Sequence, residues 1–484
     1  MEELDISLIK KRSIQGVFAL VSRTFFIQVI SFGVNFLLTI FLSPAIFGVY
    51  FIVTAVISFL TYFSDIGLAA ALIQKKDALT QEDLKTTFTL QQVLVVSISL
   101  VALFSSGWIG KFYNLNLEGV WLFRALVIAF FLSSLKTIPS VIMERNLRFQ
   151  KFVIPQVVET LFFNATVLFF AIKGFGITSF TYAVLARGIS GVITIYIVSP
   201  WRIKFGFSKS AARKLLSFGI PFQTNSLLAL LKDDLLTVYL GKILPLAQVG
   251  YIGFAQKWAL TPLRLIMDNI IRITFPSFSR LQHEKKVLSQ ALEKSLFAST
   301  FFIFPSILGL VILFSYLIAL IPKYNKWEPA LFSLSFFAIN AALSSISTPL
   351  TNALNAIGKI KITLFLMIFW VIATWILTPF AIFLFGFNGV SMASAFLSIS
   401  VIIVVFLVRK FVEFDIFKSV GYPFLASIVM AVFLYFLSPI IVKNIAMLII
   451  MIIAGALIYF MTIFLLAKNQ LLADIRLIRE NLRR

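Results

Sequence analysis

Long apolar runs alternate with short connectors, which are charged or contain glycine and proline, from one end of the chain to the other. A helix needs about 20 apolar residues to cross the roughly 30 Å of hydrocarbon in a bilayer. The runs have this length, so the pattern predicts an all-α integral membrane protein with about 14 transmembrane helices. The predicted spans are centred near residues 28, 61, 98, 131, 163, 188, 228, 262, 309, 341, 374, 398, 432 and 456.

Lysine and arginine are concentrated in every second connector, and such residues are retained on the cytoplasmic side of a membrane. One set of connectors holds 28 of the 42 Lys and Arg residues, and the other set holds 7. The bias predicts that both termini are cytoplasmic and that the chain crosses the bacterial inner membrane many times. The basic set consists of the N-terminus, residues near 75–87, 144–155, 200–216, 277–295, 355–361 and 409–420, and the C-terminal tail.

The composition excludes several classes of function. The chain is 60% hydrophobic and 13% charged, with a mean hydropathy of +1.00. Its net charge of +22 follows from the loop bias, so we expect membrane lipids and no nucleic acid as partners. There is no cysteine, the single histidine, His283, lies in a charged connector, and no phosphate-binding loop motif is present. We therefore expect no catalytic residues, no metal site and no cofactor.

A weak internal repeat suggests two lobes. Pro44, Gly48 and Tyr50 follow one basic cluster, and Pro245 and Gly250 with the tyrosine after it follow another, at an offset of about 201 residues. Duplicated helical lobes are common in transporters, with the substrate site between the repeats, although proline and glycine are ordinary turn residues and coincidence is the alternative. The predicted domains are a six-helix lobe at 1–200, a second at 201–410, two added helices at 411–467 and an amphipathic cytoplasmic tail at 468–484.

Twelve ionisable residues fall inside the predicted spans, all of them in spans one to eight. A charge at the bilayer centre costs about 2.5–3.5 kcal/mol on insertion scales, so each one suggests either a function or a structural ion pair. The basic residues are Arg23, Lys136, Arg187, Lys232, Lys257, Arg264 and Arg272. The acidic residues are Asp65, Glu159, Asp233, Asp234 and Asp268.

The eighth span carries a polar stripe. Lys257, Arg264, Asp268 and Arg272 lie at i, i+7, i+11 and i+15, which places them on one helix face. Lipid does not solvate such a face, so it is expected to line a hydrated path. The excess of cations suits a diphosphate, and neutral polar side chains suit sugar hydroxyls. The predicted substrate-binding residues are Arg23, Lys136, Arg187, Lys257, Arg264, Arg272, Gln256 and Asn269.

The five acidic residues are candidates for ion coupling, because a buried carboxylate can exchange a proton or sodium ion. They are Asp65, Glu159, Asp233, Asp234 and Asp268. Neighbouring Asp233 and Asp234 cannot face one direction on a helix, so at most one of the two is expected in the path.

Several segments near the N-terminus resemble the polysaccharide (O-antigen repeat-unit, Wzx-type) flippases of the multidrug/oligosaccharidyl-lipid/polysaccharide exporter (MOP) superfamily. They are the turn Leu42–Tyr50, Phe63–Leu68 with Ala71–Gln74, and Asp77–Thr80. The resemblance implies two six-helix lobes around a cationic cavity, an undecaprenyl-diphosphate-linked oligosaccharide as substrate, and ion-coupled alternating access. Contact with polysaccharide polymerase machinery is a further expectation. Relatives often have acidic residues where this turn has Ala45 and Ile46.

Other functions remain open at this point. A multidrug exporter of the same superfamily needs an acidic cavity for cationic drugs, which the basic excess disfavours. A peptidoglycan-precursor flippase shares the span count and the cationic cavity. A membrane glycosyl polymerase or ligase usually has a large outer loop, and no outer connector here exceeds roughly twenty residues.

Overall fold

The computed structural model describes residues 6–75, 77–224, 230 and 234–482. In these residues the chain forms helices joined by turns, with no β-strand. Ten of the helical stretches described are long and apolar enough to cross a membrane, which confirms an all-helical, multi-pass membrane protein. The chain divides into two compact units, Met1–Gly250 and Tyr251–Arg484.

In the first unit, α8 packs against both α1 and α9, and α9 also packs against α6. Its helices are α1 (Ile6–Phe41), α2 (Pro44–Tyr62), α3 (Leu68–Gln74), α4 (Gln81–Phe104), α5 (Ser106–Phe112), α6 (Leu117–Ser134), α7 (Thr137–Arg145), α8 (Phe149–Ile172), α9 (Thr178–Val198), α10 (Lys209–Thr224), α11 (Asp234–Ile243) and the first turn of α12 (Leu246–Leu281).

In the second unit, α13 is the central helix and packs against α14, α18 and α19. Leu288, Leu292 and Leu296 recur on α13 at a spacing of four and are fully buried in the core. The helices after α12 are α13 (Lys285–Leu320), α14 (Ala330–Ala356), α15 (Ile360–Phe385), α16 (Gly389–Ser398), α17 (Val401–Arg409), α18 (Tyr422–Ile441) and α19 (Ile445–Leu482).

The predicted span centres agree with these helices. Every centre lies within a helix except the one near 228, which is outside the described residues. The count of ten is lower than 14 partly because Ile360–Arg409 forms one apolar stretch of 50 residues. That stretch is interrupted at Gly386, which has a φ of +60°, and at about 1.5 Å per residue its helices are long enough to cross twice. The total of 14 and the side of each terminus stay predictions.

The lobe boundaries also stay predictions. Along the chain the first compact unit ends at Gly250, whereas the repeat suggested a boundary at 200/201. Helix α10 packs against α3 and α4, and α11 packs against α2, so residues 209–224 and 234–243 belong with the first unit in the described structure.

The loop after α3 is held by one arginine. Arg145, at the end of α7, donates through its guanidinium to the carbonyl oxygen of Leu72 at 2.8 Å and to that of Asp77. Thr80 and Asp83 then form a reciprocal capping box that begins α4. These contacts satisfy backbone groups at the end of α3 and the start of α4, where a helix leaves them without internal partners.

Two turns of the first unit approach each other closely. A Cβ at Gly48 would lie 1.8 Å from the carbonyl oxygen of Leu246, and a Cβ at Gly250 would lie 1.9 Å from that of Pro44. Only glycine permits a backbone contact this short. The two glycines of the proposed repeat therefore pack reciprocally, each against the residue that begins the other's helix.

Candidate substrate site

A cavity of about 380 Å³ lies among α1, α7, α8 and α9 of the first unit. Its polar lining consists of Arg23, Lys136, Ser140, Gln156, Glu159, Thr160 and Arg187. Three of these side chains are cations and one is a carboxylate, so the lining carries two positive charges in excess. Four residues predicted from the sequence, in spans one, four, five and six, are thus brought together at this cavity.

Lys136 is placed at a break between two helices. Helix α6 ends at Ser134 and α7 begins at Thr137, because the ring of Pro139 would clash with the carbonyl of Leu135 in a continuous helix. Pro139 also has no N–H for that carbonyl, and the hydroxyl of Tyr196 on α9 donates to it instead, at 3.0 Å. The break is thereby stabilised, and it directs Lys136 to the cavity.

Glu159 is the centre of the charged cluster. Nζ of Lys136 donates to its Oε1 at 2.7 Å, and Nε of Arg187 lies 3.6 Å from its Oε2. The side chain of Glu159 is 10% exposed and that of Lys136 is 17% exposed, whereas that of Arg187 is 58% exposed. The lysine is therefore held closely by the carboxylate, and the arginine is held loosely and remains accessible.

The position of Glu159 depends on a glycine of α9. A Cβ at Gly191 would lie 2.2 Å from Oε1 of Glu159 and 2.6 Å from its Cδ. Any larger residue would force the carboxylate to move. Gly191 follows Arg187 by four residues and thus lies on the same face of α9.

The cavity also offers groups for neutral ligands. The Oε1 atom of the Gln156 side chain is buried and has no hydrogen-bond partner among the described residues. It can therefore accept a hydrogen bond from a hydroxyl group of a ligand. Ser140 and Thr160 supply two further hydroxyls. The cavity therefore combines cations that recognise phosphate with small polar groups that can form hydrogen bonds with a sugar.

The remaining predicted substrate residues lie on α12 in the second unit. All five charged or amide side chains at Gln256, Lys257, Arg264, Asn269 and Arg272 are exposed, and so is Asp268. The opposite face of α12 is apolar: Met267 is buried against Ile303 and Ile307 of α13 and against α14. The helix therefore has one exposed polar face and one packed apolar face.

Two other acidic candidates, Asp65 and Asp234, are not among the residues that line the cavity. Asp65 belongs to the turn between α2 and α3, where it accepts the backbone N–H of Ala69 at 3.1 Å. Asp234 begins α11. Asp233 and Lys232 lie outside the described residues. Coupling roles for the acidic residues stay predictions.

Comparison with known proteins identifies the family. Residues 37–331, more than half of the chain, match the family described as "Polysaccharide biosynthesis protein". The chain belongs to this polysaccharide biosynthesis family. The match agrees with the resemblance to a polysaccharide family that segments near the N-terminus indicated.

Two relatives and one solved structure are similar to this chain. The lipopolysaccharide biosynthesis protein WzxC of Escherichia coli K12 is 23% identical over 319 residues, and the match spans 66% of this chain and 64% of WzxC. The teichuronic acid biosynthesis protein TuaB of Bacillus subtilis 168 is 24% identical over 76% of this chain and 77% of its own length. The lipid II flippase MurJ, in an inward closed conformation, superposes with a TM-score of 0.76 at 16% identity, covering 94% of this chain and 100% of MurJ. The last comparison shows a shared fold.

Sequence reasoning missed three polar residues of the cavity lining in this polysaccharide biosynthesis protein, namely Ser140, Gln156 and Thr160. It also missed Gly191, which contacts Glu159 from α9. Gln156, Glu159 and Thr160 have the i, i+3, i+4 spacing of one helix face, and this signal could have identified the two neutral residues. Gly191 carries no comparable signal. Its role depends on the distance between α8 and α9, which a single sequence does not reveal.

Proposed function

We propose that the protein is a flippase that moves an undecaprenyl-diphosphate-linked oligosaccharide from the cytoplasmic to the outer leaflet of the bacterial inner membrane. The observation that carries the proposal is the cationic cavity among apolar helices of a polysaccharide biosynthesis family member. In this proposal the protein is a transporter and not an enzyme, it works by ion-coupled alternating access, and it delivers its substrate to polysaccharide polymerase machinery.

The charges of the cavity favour an anionic headgroup. Removing a cation from water into a membrane protein is costly, so cations retained at such a cavity need a compensating role. Arg23 and Arg187 can each offer paired N–H donors to a phosphate, and Lys136 adds a compact charge. The volume of about 380 Å³ is near the lower end of the roughly 300–1,000 Å³ of ligand pockets. It suits a diphosphate and one adjoining sugar, while the rest of the glycan extends beyond it.

The names of the relatives agree with such a substrate. WzxC and TuaB are named for lipopolysaccharide and teichuronic acid biosynthesis, and MurJ is named a lipid II flippase. The exposed cations of α12, Lys257, Arg264 and Arg272, are proposed as further contacts for the substrate. A proton or a sodium ion is the proposed coupling ion, with Glu159 and Asp268 as its candidate carboxylates.

Flipping can be measured directly. The full-length protein is placed in liposomes with a fluorescent undecaprenyl-diphosphate oligosaccharide, and loss of fluorescence to a membrane-impermeant quencher reports movement between leaflets. Arg187→Ala should slow flipping about tenfold, because a hydrogen-bonded charge contributes on the order of 1.5 kcal/mol. The matched control is Arg202→Ala, which changes an exposed arginine between α9 and α10, outside the cavity.

The alternatives make different predictions in the same vesicles. Transport of a lipophilic cationic dye without movement of the sugar lipid would support a multidrug exporter and contradict the proposal. Faster movement of a peptidoglycan precursor than of other diphosphate-linked glycans would favour a cell-wall flippase.

A further inference from the structure

Glu159 is the only carboxylate among the described residues that line the cavity, and it lies between two cations. Its two oxygens are divided between them: Oε1 accepts from Lys136 at 2.7 Å, and Oε2 lies 3.6 Å from Arg187. This arrangement resembles the way in which a phosphate group would be held by a lysine and an arginine. The carboxylate thus occupies a position suited to an anionic ligand.

The two contacts differ in strength. Lys136 is mostly buried and its backbone is fixed by the break between α6 and α7. Arg187 is 58% exposed, and its Nε approach to Oε2 is longer than a hydrogen bond. An incoming anion can therefore reach Arg187 without first breaking the contact between Lys136 and Glu159.

The carboxylate is also prevented from moving deeper into α9. Its Oε1, Cδ and Cγ all lie within 2.7 Å of the point where a Cβ at Gly191 would stand. The glycine provides the space that the carboxylate occupies, and the backbone of α9 closes that space behind it. Gly191 is therefore a positioning residue that acts through Glu159.

We propose that Glu159 is an internal counter-anion, which balances Lys136 and Arg187 before the substrate binds and competes with the phosphate of the substrate for them. The inference rests on the proposed function and adds to it the control of affinity at the same site. A transporter must bind its substrate firmly enough to capture it and weakly enough to release it. The competing carboxylate lowers the affinity of the cavity for phosphate and so favours release.

The test measures binding and flipping in the same protein. Undecaprenyl diphosphate is titrated into the full-length protein in lipid nanodiscs by calorimetry, and flipping is followed in liposomes. Glu159→Gln keeps the shape of the side chain and removes its charge, so we expect about tenfold tighter binding, equivalent to 1.4 kcal/mol. We also expect slower flipping at saturating substrate, because release becomes harder. Glu118→Gln makes the same change at an exposed residue of α6 and should alter neither quantity.

Gly191→Ala provides a second route that leaves the carboxylate in place. A methyl group there displaces Oε1 from Lys136, so binding should again tighten. In the Glu159→Gln background the same alanine should have little further effect on affinity, because no charge remains to be displaced. Gly188→Ala is the control on the same helix, since its Cβ would meet mainly the end of the flexible Leu132 side chain.

The outcomes separate this inference from the proposed function. If the wild-type protein binds undecaprenyl diphosphate and Glu159→Gln binds it equally or more weakly, the counter-anion role is wrong and the flippase proposal stands. If neither protein binds it, both proposals are wrong. If Glu159→Gln does not fold, tighter binding by Gly191→Ala supports the inference and unchanged or weaker binding overturns it.

Discussion

The hydroxyl of Tyr196 donates to the carbonyl oxygen of Leu135, at 3.0 Å, across the boundary between α9 and α6. That carbonyl is the one that a continuous helix would pair with the N–H of residue 139, which is a proline. A single side chain therefore satisfies the backbone group that the helix break exposes. Lys136, the residue after Leu135, reaches Glu159 because the chain breaks at this point.

We expect Tyr196→Phe to destabilise the protein by about 1 kcal/mol, since the Leu135 carbonyl loses its partner. Because Lys136 is positioned by the same break, flipping should also slow. Thermal unfolding in detergent, followed by intrinsic fluorescence, gives the first quantity, and the liposome assay gives the second. Tyr182→Phe is the control, because no hydrogen bond of the Tyr182 hydroxyl is found among the described residues. Equal melting of the two variants would contradict the role of Tyr196.

A second prediction concerns the pair formed by Lys136 and Glu159. Lys136→Ala should destabilise the protein by about 3 kcal/mol, because removing one partner of a largely buried ion pair leaves the Glu159 carboxylate with only its looser contact to Arg187. The double variant Lys136→Ala with Glu159→Gln should recover much of this stability, because the buried side chain that lost its lysine is no longer charged. Both variants should bind diphosphate more weakly than the wild-type protein, because both lack Lys136. Thermal unfolding and calorimetry on the purified proteins measure the two effects.

The restoration of stability without binding is the informative result. A double variant that is as unstable as Lys136→Ala would show that the lysine acts through packing of its aliphatic stem and not through its charge. Wild-type stability in Lys136→Ala would show that the contact at 2.7 Å contributes little.

The sequence predicted the helical membrane fold well because the signal is local. Apolar runs of the required length are visible without any knowledge of tertiary contacts, and all described span centres fell in helices. The polar face of α12 was visible for the same reason, since Lys257 and Arg264 share a face through helix periodicity alone. Features that depend on single residues or on one helix can be predicted from a single sequence.

The sequence identified the residues of the charged cluster but not the fact that they lie together. Arg23, Lys136, Glu159 and Arg187 were recognised because charge inside a span is costly. That they line one cavity depends on how α1, α7, α8 and α9 pack, which involves residues up to 164 positions apart. The roles of Gly191 and Tyr196 depend on the same packing. Neither residue type is unusual in a membrane helix, so nothing in the sequence marked them.

A third prediction concerns the polar face of α12. Arg264→Glu should abolish flipping and leave the amount of folded protein unchanged, because the side chain is exposed and the reversed charge repels phosphate. Arg280→Glu is the control, as an exposed arginine in the last turn of the same helix. Liposome flipping and size-exclusion chromatography distinguish loss of transport from loss of fold. Retained flipping in a variant with alanine at Arg23, Arg187 and Arg264 would rule out a role for these cations in transport.

The last prediction concerns the reciprocal glycine contacts at the starts of α2 and α12. Gly48→Ala and Gly250→Ala should each destabilise the protein by about 1–3 kcal/mol, the usual effect of forcing a methyl group into a packed contact. Backbone carbonyls stand in the way on both sides, so no side-chain rotation can relieve the clash.

Gly33→Ala is the matched control, because a Cβ there meets nothing within 4 Å, and its helix should be unchanged or slightly more stable. Thermal unfolding of the three variants provides the comparison. If Gly48→Ala unfolds at the same temperature as Gly33→Ala, the close contact does not stabilise the first unit. If both contact variants melt early and alike, the two halves of the repeated motif contribute equally to one contact, as expected for a duplicated turn.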